Sequence, residues 1–92
     1  MPNGTPFSGT WNCIWENGTS EQLTVDASNS FQCYGSTYLL NINNEGIVTF
    51  NWSDNTLQTL TEDRVNGNVR TLQWTTTHAD YATIRWEMQL QQ

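Results

Sequence analysis

Lysine is missing from this 92-residue chain, and basic charge of any kind is scarce: Arg64, Arg70 and Arg85 stand against nine carboxylates, for a formal charge of −6. A phosphate backbone is held by clustered Lys and Arg that displace its counterions, so the balance argues against DNA or RNA as a partner. Long apolar runs are missing too. No stretch approaches the roughly 18 consecutive apolar residues that span a bilayer, which argues against a membrane. The opening "MPNGTPFSG" lacks the basic and apolar regions of a signal peptide, and the expectation is a cytosolic protein or a mature chain with an added Met1.

The groups that carry chemistry are also few. His78 is the single histidine. A Ser-His-Asp or Cys-His arrangement would have to use it, and it falls in a polar loop rather than beside a nucleophile presented by a strand. A glycosidase needs two carboxylates at a fixed separation, one of them kept protonated; most of the nine here sit at turns, in water. No Cys-x-x-Cys, second His or calcium-loop spacing around Asp54 or Glu45 supports a metal. The chain therefore reads as a non-enzyme with no cofactor and no metal.

Cysteine occurs twice. Cys13 and Cys33 permit a disulfide, and closing a loop of about 20 residues would add roughly 3 kcal/mol. The bridge is the expectation and two buried free thiols are the alternative; an extracellular location is favoured only if the bridge forms. The sequons at Asn3, Asn17 and Asn51 add nothing, because 11 Asn among so many Ser and Thr produce two or three by chance.

What the chain does have is aromatic rings and neutral polar residues. A content of 36% hydrophobic residues looks too small for a core, but five Trp, three Tyr and three Phe supply large apolar area each. With 14 Thr, 11 Asn and only 13% charged residues, this is a folded β composition rather than a disordered one. Period-two alternation recurs throughout: Trp11, Cys13 and Trp15 share a face, as do Val48, Phe50 and Trp52, then Leu72 and Trp74, then Ile84, Trp86 and Met88. Asn17-Gly18, Glu45-Gly46, Asp54-Asn55 and Asn66-Gly67 mark hairpin corners.

The pattern predicts an all-β, antiparallel meander of about eight short strands, roughly 9–16, 20–26, 31–35, 37–43, 46–53, 56–62, 69–76 and 81–89. A small up-and-down β-barrel is expected over 9–92, with a flexible tail at 1–8; a β-sandwich is the alternative. Aligning Trp15 with Trp52 also superposes Leu23-Thr24 on Leu60-Thr61. The unequal steps to Trp52 and Trp74 indicate reuse of one hairpin type rather than a true repeat.

"GTW" at 9–11 resembles the G-x-W opening of calycins, the lipocalin and avidin barrels, in which the Trp closes one end of the barrel. The resemblance covers about 15 residues, implies a barrel, and implies no biotin or lipid ligand.

Three times an indole stands beside a polar turn. Pyranose rings present apolar C–H faces next to hydroxyls that donate and accept, so a sugar site wants a flat ring with amides, carboxylates or hydroxyls around it. The candidate ligand-binding groups are Trp15 with Glu16, Asn17 and Thr19; Trp52 with Asp54 and Asn55; and Trp74 with Thr76, His78, Asp80 and Tyr81. The function expected is a non-enzymatic, lectin-type carbohydrate-binding protein with glycans as partners. The alternatives are an acidic protein-interaction or inhibitor module, compatible with a homodimer, and a small-ligand-binding barrel.

Overall fold

The computed structural model describes residues 6–76 and 83–90. Over these residues the chain is all β. Nine antiparallel strands follow one another: β1 (Gly9–Ile14), β2 (Ser20–Val25), β3 (Ser30–Cys33), β4 (Ser36–Leu39), β5 (Asn41–Ile42), β6 (Val48–Asn51), β7 (Leu57–Asn66), β8 (Val69–Thr75) and β9 (Thr83–Gln89). They form one sheet in the order β4-β3-β2-β1-β9-β8-β7-β6-β5. First and last strands pair, Cys13 opposite Trp86, and every other neighbour is joined by a hairpin or a short link. The result is a nearly closed barrel, the expected up-and-down form.

Closure depends on one bent segment. β4 and β5 are the expected 37–43 strand broken at Leu40, and its two halves pair with different neighbours: β4 with β3 and β5 with β6. Leu40 turns inward at the break, only 3% exposed, while Leu39 beside it is 52% exposed. Its amide leaves the ladder and donates to Asn29 O at 2.9 Å, so the bend leaves no orphan donor at that point.

β7 runs to Asn66 instead of ending near 62. Thr61 is bulged, with Leu60 opposite Trp74 and Glu62 opposite Gln73. One extra residue reverses the alternation, which is why the period-two signal stops there. Outside, Thr49, Thr59, Thr75 and Thr83 stand directly opposite one another across β6 to β9. Threonine suits a wet strand face, since its branched Cβ favours extended backbone and its hydroxyl stays in water.

The interior is filled with rings. Trp11, Trp74, Trp86 and Phe50 are fully buried, and Phe31 is 2% exposed. Phe50 meets Trp74 edge-on at 4.9 Å, Trp74 meets Trp86 at 5.0 Å, and Trp86 meets Trp11 at 5.9 Å. These offset and edge-to-face contacts are the geometries that aromatic quadrupoles favour. With so much of its volume in indoles, the barrel keeps little room for a ligand within its core.

One end of the barrel is closed, and it corrects the expectation of a free tail through residue 8. Phe7 is buried, and its carbonyl accepts a 2.8 Å bond from the Trp11 indole N–H. Arg70 lies over both the Phe7 and Trp11 rings, at 5.4 and 5.5 Å, and donates to both oxygens of Asp63 and to Pro6 O. A guanidinium can stack on a ring while its edge satisfies a carboxylate, so the plug holds one charge pair without burying it bare.

The expected disulfide is absent: Cys13 and Cys33 are both free and buried. β2 lies between β1 and β3, and strands two positions apart in a sheet are roughly 9–10 Å apart, beyond the reach of a bridge. Burial, and then mutual charge repulsion, pushes the Cys13 thiol up to about 12. Burial followed by the nearby Glu21 carboxylate raises Cys33 to about 11, and its thiol donates to Glu21 Oε2 at 3.6 Å.

Candidate functional site

The end of the barrel opposite the Arg70 plug is built from two copies of one turn. In the first, the Trp15 amide donates to Thr19 O, the Gly18 amide to Trp15 O, and the Thr19 amide to Asn17 Oδ1. In the second, Trp52 donates to Thr56 O, Asn55 to Trp52 O, and Thr56 to Asp54 Oδ1. Both place their fourth residue in the left-handed region, Gly18 at φ +88° and Asn55 at +71°. This is a three-residue hairpin loop, a type I turn followed by a left-handed residue. The Asn or Asp at its centre bonds the amide two residues on, and the tryptophan is the residue that directly follows the strand.

Because the turns fall on opposite walls and both tryptophans face inward, the two indoles meet. Their ring centres are 5.4 Å apart, at 35°. Tyr34 continues the row beyond Trp15 at 5.8 Å and 33°, and Tyr38 stands edge-on to Trp52 at 5.0 Å. Trp52 is fixed from below by the wholly buried Gln58, whose amide, turned to satisfy both ends, accepts from Trp52 Nε1 at 3.1 Å and donates to Thr75 O at 3.3 Å.

Two clefts open on either side of the Trp15–Tyr34 pair. One, of about 460 Å³, is lined by Trp15, Tyr34, Ser36, Tyr38, Trp52, Ser53 and Asp54. The other, of about 300 Å³, is lined by Trp15, Glu16, Asn17, Thr19, Tyr34, Thr83 and Ile84. Each combines aromatic faces with hydroxyls, an amide or a carboxylate.

Of the residues expected at the site, Trp15, Glu16, Asn17 and Thr19 come together in the smaller cleft, and Trp52 and Asp54 join Trp15 in the larger. Asn55 is exposed at the turn beside them and lines neither; its carbonyl accepts from Asn51 Nδ2 at 3.4 Å. Trp74 is corrected: it is wholly buried between Phe50 and Trp86 and offers no face to a ligand. Thr76, half-buried just after β8, lines neither cleft. His78, Asp80 and Tyr81 lie outside the described residues.

The sequence reading missed Tyr34 and Tyr38. Tyr34 carries a signal that could have been found. "CYGS" is a two-residue hairpin turn with Tyr34 at φ +51° and Gly35 at +79°, where Asn-Gly is the favoured pair. A bulky ring there sits in strained backbone and is 71% exposed. Such strain clusters at binding sites. No group of His, Cys, Asp and Glu among the described residues is arranged to hold a metal ion.

No protein-family model matches this chain, and no curated protein or solved structure shows significant similarity to it. The fold and rim define a small antiparallel β-barrel with one plugged end and one aromatic, polar-edged end.

Proposed function

We propose that this chain is a non-enzymatic carbohydrate-binding protein of lectin type, and that it takes its ligand at the aromatic end without metal. The observation that carries this reading is the Tyr34–Trp15–Trp52–Tyr38 row, partly open to solvent and bordered by Asp54, Ser36 and Ser53 on one side and Glu16, Asn17 and Thr19 on the other. Indole and phenol faces accept the C–H face of a pyranose, and the short polar side chains around them are within reach of its hydroxyls. Rings held by packing and by Gln58 lose little entropy on binding.

The test is a glycan array followed by calorimetric titration of the best oligosaccharide. Trp15→Ala should abolish binding while the chain stays folded, and Tyr34→Ala should weaken it. Failure of every glycan class to bind the folded protein would refute the reading and favour the acidic interaction module. That module's partner should be basic and its affinity strongly salt-dependent.

A further inference from the structure

The described arginines lie away from the aromatic clefts. Arg70 is committed to Asp63 at the plugged end, Arg64 pairs with Glu62 on β7, and the chain has no lysine. Arg85 sits on the outer face of β9 opposite Ile14 and lines neither aromatic cleft. Neither cleft is lined by a described cationic residue, while Glu16 borders one and Asp54 the other. Glu21, inward-facing opposite Cys13, adds a third carboxylate beneath Tyr34 through its bond to Cys33.

Aromatic faces beside the Glu16 carboxylate form an arrangement that attracts an ammonium group. The ring quadrupole is negative over its face, and the surrounding negative potential raises the local concentration of cations. Tyr34 is the ring whose placement is costly, held at positive φ and projecting furthest into solvent. A neutral sugar would use a carboxylate only as an acceptor for its hydroxyls, whereas an ammonium group gains the attraction of its charge as well.

We propose that the aromatic end selects amino sugars carrying a free ammonium group, hexosamine oligomers rather than their N-acetylated or neutral counterparts. This rests on the carbohydrate-binding reading and names its ligand class. The pyranose stacks on the Trp15–Trp52 pair, and its ammonium lies over the adjoining Tyr34 ring within the field of Glu16.

The experiment is calorimetric titration of the whole chain with oligomers of glucosamine, N-acetylglucosamine and glucose of equal length. The glucosamine oligomer should bind roughly tenfold tighter than the other two, the size of a partly desolvated cation–π contact. That advantage should shrink at high salt. Glu16→Gln, an exposed loop substitution, should cost the glucosamine oligomer more than the neutral ones. Equal binding of the three would overturn the ammonium proposal and leave the lectin reading standing. Tighter binding of the acetylated or neutral oligomer would overturn it in the same way. Binding of none, with folding intact, would overturn both.

Discussion

At the scale of single residues, Tyr34 shows the trade between stability and exposure. A left-handed L-residue without a helpful side chain costs about 1–2 kcal/mol, and Asn tolerates that conformation far better than Tyr. Tyr34→Asn should therefore raise unfolding stability by about 1 kcal/mol in urea denaturation, while weakening oligosaccharide binding. A variant less stable than the parent would show that packing on Trp15 outweighs the backbone strain. The thiols give a second residue-scale expectation. Both hold their protons more tightly in the folded chain, at about 12 and 11 against an ordinary 9.0, so the unfolded state releases protons first. Stability is fully present below pH 9.0 and falls as pH climbs toward 11 and 12. Thermal melts across that window should slope more steeply for the parent than for a Cys13→Ala, Cys33→Ala variant.

At the scale of elements, the hairpin loops place the site. Trp15 and Trp52 reach the rim because each directly follows its strand and opens the same left-handed loop. Gly18→Ala should cost about 1–2 kcal/mol, since Ala must adopt φ +88°. Asn55→Gly at the matching position should be neutral or slightly stabilising, as read by thermal denaturation. Equal losses from both would mean that the two loops are not equivalent. Much at this scale was legible in the chain itself. Alternating rings set the inward faces, the Asn-Gly and Asp-Asn corners set the turns, and aligning Trp15 with Trp52 identified two loops with the same bonds. What was not legible has physical causes. The bulge at Thr61 inverts the pattern that a period-two reading follows. Trp74 looks like Trp15 and Trp52 in sequence, but it belongs to the Phe50–Trp86 stack in the middle of the barrel, whereas they lie at its end. Tyr38 lies within an ordinary alternating strand, and nothing local says that it meets Trp52 across the seam where β4 and β6 come together. The Cys13–Cys33 bridge could have been excluded from the sequence, since the expected meander already set the 20–26 strand between the two cysteines.

At the scale of the whole molecule, the barrel closes on the bent β4–β5 segment, and Leu40 is the residue that packs at the bend. Leu40→Ala should destabilise by about 2–5 kcal/mol, the range for cavities at buried leucines. Leu39→Ala, one residue away on the outer face, should stay within about 0.5 kcal/mol. Similar losses from the two, measured by urea denaturation, would show that the bend is not where closure is held. The plugged end stacks Arg70 on Phe7 and Trp11 and the open end presents aromatic faces beside polar turns, so the two poles of one small domain present different chemistry to solvent.

The aromatic contacts also run without a break from one pole to the other: Tyr34 to Trp15, Trp52, Phe50, Trp74, Trp86 and Trp11, each step between 4.9 and 5.9 Å. At such spacings, excitation absorbed by a sealed indole migrates among its neighbours before it is emitted. Light taken up anywhere in the barrel therefore samples the two tryptophans at the rim, and a ligand that settles on them should dim the emission of the whole set. For the proposed ligand, tryptophan emission would then serve as a readout of binding with no added label.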